Sequence, residues 1–313
     1  MPAEHLGAII RADQISRHYL EEIIKVTGRE VIKQAAFRVV VNYDDGAVSR
    51  LLPSLLTELG CEIITHELTG VYPARPRTLP EMSVWASEVA QQVKKEKADL
   101  GVLVDNNGEH LILVDEKGRI LKDEQFWAIL SLGALKYSPV NTIAVPVTAP
   151  LFFEEVVGEL QGQVVRTKAN PRALMEKVAQ ERLFPGEHEQ THFQPAFDGL
   201  YSLAKILEFM AREKVGLSEL VAVLPPYYTA QQAVDCSWED KGRIMRSLFE
   251  ENKEKKIEII DGLKVFHAQG WALVLPDAEE PVFQVYSEAS SQEEADALTS
   301  LYTGRISDLQ LKS

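Results

Sequence analysis

Residues 37–65 read FRVVVNYDDGAVSRLLPSLLTELGCEIIT, and the fold class follows from the order of the patterns within them. The first five residues form an apolar run typical of a buried strand, and Asp44-Asp45-Gly46 is a turn signal. Leucines then recur at helical spacing over residues 51–59, Gly60 suits a helix C-cap, and residues 61–65 predict a second strand. A strand, a helix and a second strand in this order predict a parallel βαβ unit.

Further elements are predicted on both sides of this unit. Apolar residues near helical spacing predict a helix over residues 14–34. Beyond the unit we predict a helix, a strand and a hairpin, at residues 81–97, 100–104 and 110–121. The cycle then restarts, with strands at 142–147 and 164–165 and helices at 150–160, 171–180 and 198–213. Two successive α/β units of similar size predict duplicated domains on parallel-type sheets.

The last part of the chain has a different pattern, from about Val234 onward. Tight turns at Asp261-Gly262 and Gln269-Gly270 join short predicted strands, which indicates an antiparallel sheet. The strands are predicted at 257–260, 263–266, 271–275 and 282–286, between helices at 239–251 and 292–301. The fold class is therefore α/β with a small C-terminal α+β domain. The predicted domains are residues 1–136, 137–232 and 233–313.

Composition and charge argue against several classes of protein. Of 313 residues, 45% are hydrophobic and 26% charged, as in ordinary globular proteins. Lys+Arg 33 against Asp+Glu 47 gives a net charge of −14, which disfavours nucleic acid and anionic membranes as partners. No apolar run approaches the roughly 20 residues that a membrane helix needs. The N-terminus does not resemble a signal peptide and only Cys61 and Cys236 occur, so we expect a cytoplasmic protein without a disulfide framework.

An oxygen-rich loop, Asp105-Asn106-Asn107-Gly108-Glu109-His110, follows the apolar run at residues 100–104. Side-chain oxygens at alternate positions after a buried strand suit Mg²⁺ coordination, which uses oxygen ligands. Asp105, Asn107 and Glu109 are therefore candidate ligands of a weak Mg²⁺ or Ca²⁺ site. The alternative is a solvated turn between two strands, and the residues alone leave both interpretations open.

A second motif, His188-Glu189-Gln190-Thr191-His192, has the His-Glu-x-x-His spacing of zinc hydrolases. That chemistry needs both histidines on one face of a stable helix and a third ligand farther along the chain. Pro185-Gly186 and Pro195 leave only about two helical turns here, and such a short helix is marginal in water. We therefore expect a polar surface loop, with adventitious metal binding or zinc hydrolysis through His188 and His192 as less favoured alternatives.

The order of the elements and several short strings resemble the α-D-phosphohexomutases, the phosphoglucomutase/phosphomannomutase family. The matching strings lie in the same order as in the family, at residues 38–42, 101–105, 114–119, 164–167, 196–200, 261–265 and 270–276. The resemblance covers about residues 30–303 and only the last three of the family's four domains, as in modules fused behind sugar nucleotidyltransferases. The first domain would carry the phosphoserine that exchanges its phosphoryl group, and the stretch before Phe37 is too short for it.

The resemblance implies that three functional loops have changed. The family's metal loop is Asp-Gly-Asp-x-Asp-Arg, so Asp105, Asn107 and Glu109 hold the ligand positions while His110 replaces the arginine. The phosphate clamp, Arg-Pro-Ser-Gly-Thr-Glu-Pro, corresponds to residues 275–281, where Leu275 replaces the arginine and Asp277 and Glu279 replace hydroxyls. Each like-charge contact near 4 Å costs about 1–4 kcal/mol, which predicts that phosphate no longer binds there.

The third loop of the family selects the sugar and contains Gly-Glu-x-Ser-Gly, which residues 177–195 lack. Glu187 stands near the lost glutamate, while Arg166 and Arg172 are the remaining candidate anion contacts. The resemblance therefore implies a module that is impaired on its own, structural or regulatory to a sugar nucleotidyltransferase, with a hexose phosphate as a candidate ligand. The alternative is a mutase part that is active with a phosphoserine domain from another chain.

Overall fold

The structure, a computed structural model, describes residues 14–42, 48–65, 79–137, 141–181 and 197–311. The described helices are α1 Ile15–Lys25, α2 Arg29–Ala35, α3 Val48–Glu58, α4 Leu79–Glu96, α5 Asp123–Tyr137, α6 Phe152–Glu159, α7 Pro171–Glu181, α8 Gly199–Glu213, α9 Leu217–Ala222, α10 Trp238–Asn252 and α11 Gln292–Gln310. The described strands are β1 Arg38–Asn42, β2 Glu62–Thr65, β3 Leu100–Val104, β4 Leu111–Asp115, β5 Thr142–Pro146, β6 Gln163–Thr167, β7 Tyr228–Asp235, β8 Ile257–Glu258, β9 Leu263–His267, β10 Gly270–Pro276 and β11 Val282–Ala289. Contacts divide the chain into two compact units, Met1–Gly133 with Gly186–Ala222 and Ala134–Pro185 with Val223–Ser313.

The first unit contains the predicted βαβ arrangement. Its sheet has the order β2-β1-β3-β4, in which β1 is parallel to β2 and β3, and β4 is antiparallel to β3. The valines of β1 and the inner face of α3 are fully buried, which explains the continuous apolar run and the leucine spacing. At Gly101 in β3 an added Cβ would lie 2.5 Å from Val89 of α4, so the close approach of helix and strand requires glycine. The predicted α/β class is confirmed.

Helix α8 belongs to this first unit. The Tyr19 hydroxyl of α1 donates to Asp198 at 2.6 Å, and Asp198 also accepts the backbone N–H of Tyr201 as the N-cap of α8. Farther along, Glu208 accepts hydrogen bonds from Lys205 and Arg212 at 2.7 and 2.9 Å. Residues 198–213 fall within the predicted domain 137–232, whereas contacts group them with the first unit. The predicted domain bounds stay a prediction.

The second unit contains the pair β5–β6, which is parallel, and a five-stranded antiparallel sheet of order β7-β11-β10-β9-β8. Helices α10 and α11 pack on this sheet around a core that includes Ile244, Phe283 and Ile306. The antiparallel α+β arrangement predicted for the C-terminal part is therefore confirmed. Strand β7, which pairs with β11, is an addition to the prediction, and the predicted boundary between residues 232 and 233 falls inside it.

Side chains of helix α11 bind backbone carbonyls near both ends of strand β7. Gln292, at the start of the helix, donates to the Thr229 carbonyl at 3.1 Å, and Gln310, at its end, donates to the Asp235 carbonyl at 2.6 Å. A strand at the edge of a sheet presents backbone groups that can pair with another chain. Two such groups of β7 are engaged by side chains of this helix.

Polar contacts also join the segment around β5 and β6 to the antiparallel sheet within the second unit. The Lys264 ammonium is buried, donates to the Val147 carbonyl at 3.2 Å and lies 3.7 Å from the centre of the Trp271 ring. The indole N–H of Trp271 donates to Glu288 at 2.6 Å. Glu288 also accepts the backbone N–H of Leu151 at 2.8 Å.

The structure differs from the predicted helices in two places. The helix predicted over residues 14–34 is two helices, which are separated at Val26-Thr27-Gly28, where the Thr27 hydroxyl donates to the Ile23 carbonyl at 2.7 Å. Helix α5 was not predicted, because five successive residues, 128–132, are buried and leave no helical periodicity to detect. Among the described helices, none is long and apolar enough to cross a membrane.

Candidate functional site

The oxygen-rich loop, residues 105–110, connects β3 to β4 as a closed turn. The Asp105 carboxylate accepts the backbone N–H of Glu109 at 2.9 Å, and the Asp105 N–H donates to the His110 carbonyl at 3.1 Å. Gly108 has φ +80, and its carbonyl accepts the N–H of Gly199 at 2.7 Å. An added Cβ on Gly199 would lie 3.0 Å from that carbonyl, so the start of α8 fits closely against the loop.

These residues fit a resident Mg²⁺ poorly. One oxygen of Asp105 is engaged with the loop backbone, and Asn107 and Glu109 are exposed. Mg²⁺ requires near-octahedral ligation at roughly 2.0–2.1 Å. Over the described ranges, no group of three or more His, Cys, Asp or Glu side chains is placed to hold a metal. Weak Mg²⁺ binding by Asp105, Asn107 and Glu109 stays a prediction.

The hairpin loop, residues 277–281, connects β10 to β11 at the position of the predicted phosphate clamp. One carboxylate oxygen of Asp277 accepts the backbone N–H groups of Glu279 and Glu280 at 2.9 and 3.0 Å. These N–H groups hold the pKa of Asp277 below its ordinary value. A carboxylate of the chain itself thus engages the backbone N–H groups of Glu279 and Glu280.

Lys241 of α10 also binds the hairpin loop, through backbone carbonyls. Its ammonium donates to the carbonyls of Asp277 and Glu280 at 2.6 and 2.5 Å, and it lies 3.8 Å from the centre of the Trp238 ring. Lys241 is buried, and the N–H of Cys236 also donates to the Pro281 carbonyl at 2.7 Å. The Lys241 ammonium therefore binds the loop backbone.

Arg166, a predicted anion contact, is committed to internal partners. Its Nε and Nη2 donate to the two oxygens of Glu154 at 2.8 and 2.6 Å. The same guanidinium donates to the carbonyls of Ala149 and Pro150 at 2.5 and 2.8 Å. With a side chain only 10% exposed, Arg166 joins β6 to the start of α6 in a bidentate ion pair. Its predicted role in substrate binding remains a prediction.

Arg172, the other predicted anion contact, is 86% exposed and pairs with Glu176 one helical turn away at 2.7 Å. Arg166 and Arg172 nevertheless line the same open groove, which has a volume of about 520 Å³. The third predicted contact, Glu187, lies outside the described residues, as do His188 and His192 of the His-Glu-x-x-His motif. Lys168 and Lys177, which also line the groove, were not singled out from the sequence.

Family models match most of the chain. The model described as phosphoglucomutase/phosphomannomutase, alpha/beta/alpha domain II matches residues 17–118, and domain III of the same family matches residues 123–228. A probable phosphoglucosamine mutase of Methanopyrus kandleri is 31% identical over 82% of this chain and 59% of its own length. A phosphoglucomutase/phosphomannomutase of Thermococcus kodakarensis is 30% identical over 91% of this chain and 64% of its own length. The chain thus spans about three fifths of these relatives.

Solved structures share the fold. A phosphoglucomutase/phosphomannomutase family protein from Burkholderia thailandensis superposes with a TM-score of 0.77 over 95% of this chain and 65% of its own, at 20% identity. N-acetylphosphoglucosamine mutase from Aspergillus fumigatus, in complex with GlcNAc-6P and magnesium, superposes with a TM-score of 0.63 over 95% of this chain and 66% of its own, at 12% identity. At such identities the likeness concerns the fold alone.

Proposed function

Because the chain belongs to the phosphoglucomutase/phosphomannomutase family, we propose that it is a module of sugar-phosphate metabolism that is catalytically impaired on its own. It would act as a structural or regulatory part of a sugar nucleotidyltransferase and take a hexose phosphate as ligand. Relatives named phosphoglucosamine mutase and phosphomannomutase support this substrate class.

The hairpin loop carries the proposal of impaired catalysis. Asp277 occupies the N–H groups of Glu279 and Glu280, at 2.9 and 3.0 Å, that a phosphate would need. A phosphate dianion entering this loop would meet a carboxylate with a lowered pKa, which remains charged at neutral pH. Without a phosphate anchor in this domain, a sugar phosphate could not be oriented for phosphoryl exchange.

A second candidate function is a mutase part that becomes active when a phosphoserine domain is supplied by another chain or segment. The matches to domains II and III favour it, because both domains are recognisable along residues 17–118 and 123–228. It is the weaker candidate, because an added phosphoserine would neither place a guanidinium at Leu275 nor remove Asp277 from the loop.

A coupled mutase assay separates the two candidates. The chain would be assayed with glucose 1-phosphate and mannose 1-phosphate plus a 1,6-bisphosphate activator, with a complete mutase of the family as positive control. We expect no turnover, either alone or with the isolated first domain of a relative added. Turnover by the chain alone would overturn the impaired-module proposal, and turnover only with the added domain would establish the second candidate.

The partner is tested separately. A nucleotidyltransferase encoded beside this chain would be mixed with it and analysed by size-exclusion chromatography and by its own rate of sugar-nucleotide synthesis. We expect co-elution and a changed rate or a higher melting temperature. Separate elution with an unchanged rate and melting temperature would refute the regulatory and structural role.

A further inference from the structure

Helix α11 carries a stripe of exposed apolar and small residues on the face that points away from the antiparallel sheet. The members of this outer stripe are three, four or seven residues apart, which places them on one side of the helix, and they are Ala297, Leu301, Gly304 and Leu311. Leu301 is 57% exposed and Leu311 is 86% exposed. The inner face of α11 is already buried against the core of the sheet. A helix that is apolar on two opposite faces suits packing on a second surface as well.

Gly304 leaves open space in the middle of the outer stripe. It lies inside the helix, and a Cβ added there would meet nothing within 4 Å. Glycine in a helix interior destabilises the helix relative to alanine, but it allows another chain to approach closely. Gly101 shows this effect inside the molecule, because the missing Cβ admits Val89 of α4. The space at Gly304 is available to a group from outside the chain.

Leu301 and Gly304 make the outer stripe complementary to itself. The two residues are three positions apart, so a protruding side chain and an open space are neighbours on the helix surface. A two-fold interface uses the same patch twice, so that residue i of each copy contacts residue j of the other. When two α11 helices cross antiparallel about an axis between these residues, Leu301 of each copy lies over Gly304 of the other.

Helix α10 lies beside the last turns of α11 and adds a positive charge there. Arg243 donates to the Leu309 carbonyl at 3.0 Å, and Glu251 pairs with Arg305. Arg246 lies between Arg243 and Glu251 on α10 and is exposed. The guanidinium of Arg246 therefore stands next to the C-terminal half of α11.

The first turns of α11 are acidic, with Glu293, Glu294 and Asp296. An antiparallel pair of α11 helices sets these turns over the C-terminal half of the other copy, and so brings them towards Arg246. A parallel pair would instead set the acidic turns of the two copies against each other. Because opposite charges attract and like charges repel across an interface, the charges favour the antiparallel pair.

We propose that two copies of this chain associate through an antiparallel pair of α11 helices, with Leu301 of each copy over Gly304 of the other. A helix of 19 residues is roughly 28 Å long. One such pair with its flanking residues falls at the low end of specific interfaces, below roughly 1,200 Å² in total. The dimer is therefore weak and reversible. This inference goes beyond the proposed function and depends on neither its ligand nor its partner.

The test is analytical ultracentrifugation of the full chain under reducing conditions, from about 2 to 200 µM. A salt concentration of about 0.15 M limits the repulsion between copies of net charge −14 to roughly 8 Å. We expect a monomer–dimer equilibrium in the parent chain. Gly304→Leu fills the space that Leu301 of the other copy would enter, and should weaken the dimer at least about tenfold. Its urea midpoint should not fall, because leucine is the better helix former.

The matched control is Gly242→Leu. Gly242 is also an exposed glycine inside a helix, and a Cβ added there would meet nothing within 4 Å. It lies nine residues before Glu251, which places it on the opposite side of α10 from the ion pair with Arg305 of α11. We expect this variant to dimerise like the parent chain.

A charge variant tests the antiparallel direction. Arg246→Glu sets a carboxylate against the acidic first turns of the other copy, and should weaken the dimer about twofold to fivefold. Arg17→Glu makes the same change of charge at an exposed position on α1 in the first unit. We expect it to leave the dimer unchanged.

Each outcome decides. A parent chain that stays monomeric over the whole concentration range would overturn the dimer. An undiminished dimer in Gly304→Leu, or equal losses in Gly304→Leu and Gly242→Leu, would overturn the assignment to the outer stripe. Equal effects of Arg246→Glu and Arg17→Glu would overturn the antiparallel direction. The coupled mutase assay is independent of these results, because it measures turnover and not association.

Discussion

The carboxylate of Asp277 lies 3.0 Å from the backbone nitrogen of Glu280, in the hairpin loop that the family resemblance predicts to correspond to a phosphate clamp. A phosphate that entered this loop would have to compete with the Asp277 carboxylate for the N–H groups of Glu279 and Glu280.

Restoring the family pattern in the hairpin loop should restore phosphate binding. The quadruple variant L275R/D277S/A278G/E279T returns the guanidinium and hydroxyls and frees the backbone donors. We expect its affinity for inorganic phosphate, measured by calorimetry, to exceed that of the parent chain at least about tenfold. Leu275→Arg alone is the control and should gain less, because Asp277 still occupies the donors. Equal affinities of the quadruple variant and the parent chain would contradict the account given for this loop.

The oxygen-rich loop should bind Mg²⁺ weakly and improve when its carboxylates are restored. For the parent chain we expect little or no heat at millimolar Mg²⁺. Asn107→Asp with Glu109→Asp adds one negative charge and shortens one ligand, and should raise the affinity about tenfold or more. Asp105→Ala in the same background should remove the gain. Micromolar affinity in the parent chain would show that the loop is an intact metal site.

Glu208 should stabilise the first unit in a pH-dependent way. Burial raises the pKa of this carboxyl, but Lys205, Arg212 and the N–H of Gly28 outweigh that effect, so the pKa lies below its ordinary value. Its contribution is therefore present above pH ~4.5 and disappears as the pH falls through the lowered value. We expect Glu208→Gln to reduce the free energy of unfolding at pH 7 by about 1–3 kcal/mol, measured with urea.

The control for Glu208 is Glu21→Gln. Glu21 also accepts a hydrogen bond from an arginine Nε one helical turn away, at 2.7 Å, but its side chain is 55% exposed. Loss of an exposed pair of this kind should change stability by less than about 1 kcal/mol. Similar losses in the two variants, or an unaltered acid midpoint for Glu208→Gln, would show that the buried cluster does not contribute as inferred.

Lys264 should make the second unit more stable at alkaline pH. Burial lowers the pKa of this ammonium from 10.5 to about 8, so between these values the unfolded chain binds a proton that the folded chain lacks. The contribution of Lys264 to stability consequently rises with pH through this window, by about 1–3 kcal/mol in total. Lys264→Met removes the titrating group and should flatten the rise in urea midpoint from pH 8 to pH 10. An unchanged slope would rule out this assignment.

Sequence patterns predicted most of the fold because its buried strands and amphipathic helices carry strong periodicity. The run at residues 100–104 matches β3, and the leucine spacing matches α3. Strand β7 was missed because Thr229, Gln231 and Gln232 give it little apolar alternation, and because its order depends on pairing with β11 and on contacts from α11. Such tertiary contacts are absent from a local window of sequence.

The sequence shows which charged residues the candidate sites contain, but it does not show which groups these residues contact. The family resemblance implies that Asp277 replaces a hydroxyl, yet the sequence does not show that its carboxylate accepts hydrogen bonds from the loop N–H groups. Arg166 looks like an anion contact, whereas Glu154, twelve residues earlier, accepts hydrogen bonds from its Nε and Nη2 and backbone carbonyls accept from the rest of the guanidinium. The grouping of Lys168 and Arg172 along one groove depends on how β6 leads into α7, which a motif search does not resolve.

Gln292 and Gln310, which bind two backbone carbonyls of the edge strand β7, bear on how this chain can associate with others. The carbonyls of Thr229 and Asp235 already accept hydrogen bonds from Gln292 and Gln310. Addition of a strand from another chain along β7 is therefore disfavoured at these two positions. At these two positions a partner would meet the side chains of Gln292 and Gln310 rather than the β7 carbonyls.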